Sequence, residues 1–135
     1  MLLFRLMPVL VLSMLTSSLA QSQATPAGDW RGMSICQVKP SACNDEDSLY
    51  HFRTVANRTD VYELQADKIV DGKPVTMGLL RCSYNTSRQL SCPLEGNRAT
   101  LLFELNGDLM QGTMKLADGT LWRKLTLRRR AASQD

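Results

Sequence analysis

The sequence predicts an all-β domain: a single eight-stranded antiparallel up-and-down barrel with two disulfides. Three observations carry this. Eight short apolar-rich runs follow one another with turn chemistry between them at nearly regular spacing, the pattern of a β-sandwich or barrel. The connections are tight, and a meander of tightly joined strands keeps exposed edges unless it closes on itself. Four cysteines, Cys36, Cys43, Cys82 and Cys92, all lie downstream of an apolar leader, where an even number reads as a disulfide framework.

The leader runs from Met1 to Ala20, with one positive charge at Arg5, an apolar stretch from Leu6 to Leu15, and Ser18-Leu19-Ala20 before Gln21. This is the form of a secretory signal peptide; the apolar run is shorter than the roughly 20 residues that span a bilayer. Its removal leaves 115 of the 135 residues, enough for one domain with a real core. The expected compartment is therefore extracellular or periplasmic, with no membrane span. Loss of Arg5 lowers the formal charge from +3 to +2. The basic excess gathers at Arg123, Lys124, Arg128, Arg129 and Arg130, which reads as a solvated strand end; no nucleic-acid partner is expected. Residues 21–27 are small, polar and Pro-containing, the composition of a flexible tail. The domain is placed at 28–130, with a short tail at 131–135.

The strands are expected at Trp30–Gln37, Ser48–Ala56, Val61–Ile69, Val75–Tyr84, Gln89–Leu94, Arg98–Leu105, Leu109–Leu116 and Thr120–Arg129. Asn44-Asp45-Glu46-Asp47 could open one helical turn. In the first strand Trp30, Gly32 and Ser34 share one face and Met33 and Ile35 the other, so a bend at Gly32 is expected to reconcile them. The third and fourth strands need a loop longer than two residues at Asp71-Gly72, with a bulge, if Tyr62, Leu64 and Ala66 are to face the core. Facing Cys82 and Cys92 across the next hairpin sets Leu80 against Leu94 and Tyr84 against Leu90, so bridge and apolar pattern agree; Cys36 then pairs with Cys43. A two-residue Asn106-Gly107 turn opposes Phe103 to Met110 and Leu101 to Gly112. Asp118-Gly119 as the last turn opposes Leu116 to Leu121, Gly112 to Leu125 and Met110 to Leu127. One face stays apolar through three strands, except for Arg123 opposite Met114. A sandwich would need longer crossovers, and eight strands suit a small barrel.

Arg123 is the one charge that this register places inside. A lone buried guanidinium needs an anion or several acceptors, so it reads either as an anchor for a ligand or as one half of an internal pair with Glu104 or Glu63. Met110, Met114, Met77 and Phe103 read as an adaptable pocket lining or as plain core. His51, the only histidine, follows Asp45, Glu46 and Asp47 on a strand and reads as a surface residue. There is no Gly-x-Ser-x-Gly or comparable nucleophile element. The cysteine spacings fit no common zinc pattern. No enzyme activity, cofactor or metal is expected.

Gly28-Asp29-Trp30 opening an eight-strand meander resembles the Gly-x-Trp that opens the first strand of lipocalins and their calycin relatives. The resemblance implies that Trp30 closes the barrel floor and that an Arg near the end of the last strand packs across it. Arg129 has the inward parity of Leu121, Leu125 and Leu127 and is the candidate, with Arg128 second. Fatty-acid-binding relatives hold a ligand carboxylate with interior Arg residues, which implies the anchoring role for Arg123. The chain is shorter than typical lipocalins and has its cysteines elsewhere. A wider pattern resembles a family of small exported bacterial proteins without established activity. It is carried by Trp30-x-Gly32-x-Ser34-x-Cys36, Cys43-Asn44-Asp45-Glu46, Ala66-Asp67-Lys68-Ile69-Val70-Asp71-Gly72 and Met77-Gly78-x-Leu80-x-Cys82-x-Tyr84. The expected function is non-enzymatic binding of a small apolar or amphipathic ligand, anionic where Arg123 anchors it. The alternative is a secreted protein-binding module, such as an inhibitor of an exported hydrolase: small bacterial protease inhibitors share a barrel opening on Gly-x-Trp, and some insert an N-terminal tail into the enzyme cleft.

Overall fold

A computed structural model describes residues 25–38 and 42–131. The expected leader, tail residues 21–24 and the C-terminal residues 132–135 lie outside the described residues. The architecture is a closed antiparallel barrel in which eight strands follow in chain order. The strands are β1 (Gly28–Cys36), β2 (Glu46–Thr54), β3 (Val61–Val70), β4 (Lys73–Tyr84), β5 (Gln89–Pro93), β6 (Ala99–Asn106), β7 (Leu109–Leu116) and β8 (Leu121–Arg129). Asn44 and Asp45 are not helical and Glu46 already belongs to β2; the one helical turn among the described residues is a 3-10 turn at Glu95–Asn97. Among those residues no helix is long and apolar enough to cross a membrane.

Alternation builds the interior. Trp30, Tyr50, Phe52, Tyr62, Leu64, Leu90, Leu101, Phe103, Leu105, Met110, Leu125 and Leu127 form one buried cluster, each strand sending every second side chain inward. Strand β1 needs no bend. It pairs without interruption with β2 on one side and β8 on the other, burying Trp30, Ser34 and Cys36 while Met33 and Ile35 stay exposed. Gly32 is required for close approach: a Cβ there would lie 1.8 Å from the Thr126 carbonyl oxygen.

Both bridges form as expected, Cys36–Cys43 and Cys82–Cys92, the latter with Cα atoms 4.3 Å apart. Tyr84 faces Leu90. The expected Leu80–Leu94 pair is absent from that ladder, which holds Ser83–Ser91 and Tyr84–Leu90, and three further ladders differ from the sequence expectation. The β6–β7 turn is Gly107-Asp108, with Asn106 paired to Leu109, so the hairpin slides by two residues and keeps its faces. Leu105 meets Met110, and Phe103 meets Gly112. The ring decides this: a Cβ on Gly112 would lie 2.4 Å from Phe103 Cδ1, so the bulky side chain settles over the residue that has none. In β7–β8 the expected pairs Met110 with Leu127, Gly112 with Leu125 and Met114 with Arg123 form, but an irregularity after Met114 pairs Leu121 with Lys115 instead of Leu116.

The β3–β4 connection is a two-residue turn rather than a longer loop. Val70 pairs with Lys73, and Asp71 and Gly72 take φ of 51° and 77°, the left-handed pair that a tight hairpin demands. The expected bulge lies inside the ladder. Ala66 faces Gly78 but Asp67 faces Thr76, so Met77 is the extra residue. It resets the parity and returns Tyr62, Leu64 and Ala66 to the core.

Candidate functional site

The two ends of the barrel are built differently. At one end the Trp30 ring is fully buried, its Nε1–H donating to the Pro26 carbonyl at 2.9 Å. The Arg129 guanidinium lies over the ring, 4.3 Å from its centroid. Arg129 also donates to the carbonyls of Ala27 (2.7 Å) and Thr25 (2.6 Å) and to Asp108 (3.1 Å). The end of the segment expected to be slack is thus tied down: Pro26 is buried and both its neighbours accept from Arg129. Arg128 pairs with Arg31 on the exposed face.

At the other end Arg123 is buried and points inward. Ser34 and Glu46 face each other across β1 and β2, and Arg123 reaches both. Nη1 lies 3.2 Å from Ser34 Oγ and 3.5 Å from its carbonyl, and Nη2 donates to Glu46 Oε1 at 3.2 Å. Its partner is therefore Glu46, neither Glu104 nor Glu63; Glu63 instead meets Arg81 on the outside at 3.7 Å. The Cys36–Cys43 bridge and the Cys36 N–H, which donates to Asp45 Oδ1 at 2.8 Å, hold the end of β1 against the start of β2, and so fix Ser34 and Glu46 around the guanidinium. Burial, with the neighbouring Glu46 charge adding to it and Arg123 partly opposing, pushes the Tyr50 hydroxyl up to about 12. Tyr50 therefore stays protonated, able both to donate and to accept. Ser48, inward on the same strand, is buried with no hydrogen bond of acceptable geometry to its hydroxyl.

A cavity of about 360 Å³ opens beside this cluster, lined by the polar groups of Arg123, Glu46 and Tyr50 and by the apolar side chains of Met77, Leu79, Leu80, Leu94, Leu101 and Met114. It exists because β4 and β5 diverge: they pair only through Ser83–Ser91 and Tyr84–Leu90, beyond which Leu94 turns back to bond Ala99. Of the residues expected to line a pocket, Arg123, Met114 and Met77 do so. Phe103 and Met110 are buried in the core away from this cavity, and Phe103 borders a different hollow. Met77 reaches the rim only through the bulge. A larger hollow of about 580 Å³ lies under Leu102, Thr113 and Lys124, which point outward. It meets no buried charged group, so the mouth cavity is the better site despite its smaller volume.

The sequence did not single out a polar cluster on the outer wall. His51 bridges three strands, with Nδ1 2.6 Å from Asp29 Oδ1 and Nε2 3.1 Å from Asp67 Oδ2. Both ring nitrogens can donate only in the imidazolium form. Burial opposes the Asp67 charge, but hydrogen bonds from Thr76, Gln65 and His51 outweigh it and hold the carboxyl below its usual range. No nucleophile completes this group, and among the described residues no set of three or more His, Cys, Asp or Glu side chains could hold a metal.

The chain matches no protein-family profile, and no curated protein matches it. The closed eight-stranded antiparallel barrel is compatible with a calycin-like fold.

Proposed function

We propose that this is a secreted or periplasmic, non-enzymatic binding protein that holds a small amphipathic ligand in the barrel mouth. One observation carries the reading. In the mouth cavity a part-buried charged pair, Arg123–Glu46, meets an open apolar wall. Its volume of about 360 Å³ lies within the range of small-molecule sites, which combine an apolar lining with few polar groups. Arg123 is not a free cation, because Glu46 already neutralises it. The Asp67 carboxylate is turned to His51 on the outer wall, so the cavity's charges are Arg98 and Arg123 against Glu46 and Glu95, formally balanced, and the ligand's polar end is better met as a hydrogen-bonding group than as a full anion. The remaining N–H groups of Arg123 and the Tyr50 hydroxyl would receive it, and Leu94, Leu101 and Met114 its apolar part. Export rests on the leader and fits the two disulfides.

Native mass spectrometry of the protein purified from its own host tests this. A one-to-one small-molecule adduct, lost from a Met114→Trp variant that still folds, is the expected result. A retained polypeptide with no small molecule would shift the reading to a protein-binding module.

A further inference from the structure

The divergence that opens the cavity also strips one flank of β4. On its β3 side the strand is paired from Lys73 to Ser83. On its β5 side only Ser83 and Tyr84 have partners, so Lys73–Cys82 carries no ladder on that flank. Unpaired strand edges are templates for another strand. This one is also apolar: Val75, Met77 and Leu79 are 43, 57 and 76% exposed. Beside Gly78 there is open space, since a Cβ added there would meet nothing within 4 Å.

The edge is not suited to a second copy of itself. Antiparallel pairing of two β4 edges centred on Met77 would set Lys73 of one against Arg81 of the other at both ends, and bulge against bulge. Like charges directly opposed destabilise a strand pair, and here they fall at both ends of the self-pairing. The same two cations complement a different strand. Arg81 has a long exposed contact with Glu63 at 3.7 Å, and Arg98 is a further cation lining the cavity that Met77 and Leu79 border.

We infer that the free flank of β4 is a docking edge for an extended peptide segment of another protein, with alternating apolar residues and acidic residues at its ends. The peptide adds as a strand along Val75–Arg81, its main chain bonding to β4. Its apolar side chains cover Met77 and Leu79, and its acidic ends meet Lys73 and Arg81. The docking edge shares Met77 and Leu79 with the wall of the mouth cavity, but the inference depends on main-chain groups of β4 and not on the Arg123–Glu46 pair, so each reading can fail without the other.

The test uses a fluorescein-labelled nonapeptide of alternating valine and threonine with glutamate at each end. Two controls go with it: the same peptide ending in lysine, and the glutamate peptide N-methylated at alternate amides. Fluorescence anisotropy should show the glutamate peptide binding at least about tenfold more tightly than the lysine peptide, and the N-methylated one not binding. Hydrogen exchange should show new protection confined to β4 amides between Val75 and Arg81. Arg81→Glu, an exposed change that leaves the core untouched, should reduce or reverse the preference between the two peptides. Equal affinity for both ends, binding that survives N-methylation, or protection on another strand would overturn the inference. So would protection of β4 that appears without peptide as the protein self-associates.

Discussion

Arg123 and Arg129 lie on the same face of one strand, β8, and meet opposite surroundings. Arg129 is spread over an indole face and backbone carbonyls, with its charge reaching the exposed Asp108. It is a lid, and everything it touches is already satisfied. Arg123 is buried against Ser34 and Glu46 and borders a cavity. The difference comes from what fills the barrel. At the Trp30 end an indole and a returning chain occupy the lumen. At the Arg123 end β4 leaves β5, and a cavity opens there. One end spends its cation on closure; the other keeps a charged pair at an opening.

The contrast predicts graded effects. Trp30→Ala should be the most damaging, costing about 3–5 kcal/mol as buried aromatic truncations do. It would be read as a fall in the urea midpoint; a loss below about 1 kcal/mol would mean that the floor is not a stability element. At the opposite end Glu46→Gln should cost about 1–2 kcal/mol, because it leaves the buried guanidinium short of its counter-charge. The double variant Arg123→Met with Glu46→Leu should recover most of that loss. If the double variant is as unstable as the single one, the pair is not the unit described. Arg129→Lys should cost about 1 kcal/mol, since an ammonium keeps the charge but not the planar fork that serves two carbonyls and a ring.

The smallest effect concerns acid. The folded protein holds the Asp67 carboxyl below its ordinary value, near 4 in an unfolded chain (about 3.9). The stability this contributes is present above that unfolded value and is lost as pH falls through the lower, folded one. Urea midpoints measured at pH 7 and near pH 3 should therefore drop less for Asp67→Asn than for the wild type. Equal drops would remove Asp67 from the account.

Much of the barrel was legible from Cys82, Cys92 and the turn residues. Facing the two cysteines also faces Tyr84 with Leu90, which is how the chain folds. The inward parity of Arg123 came from the same arithmetic. Its partner did not, because Glu46 stands 77 residues away at the start of a strand whose first residues read as a capped turn. Met77 was read as pocket lining and does line it, but through a bulge whose place no local pattern reveals. His51 was read as a surface residue; the carboxylates that hold it come from β1 and β3, neighbours known only once the ladders are in register.

The sequence by itself determined the strand count, the inward and outward faces, and both disulfides. These depend on period-two alternation and on turn chemistry that act within a few residues. Tertiary structure alone decided the two-residue slide that seats Phe103 over Gly112, the Met77 bulge, the parting of β4 from β5 and the Arg123–Glu46 pair. The physical reason is that alternation tells a slip of one residue from none, since that exchanges the faces. A slip of two preserves the faces, and only packing across the closed barrel can choose between the two.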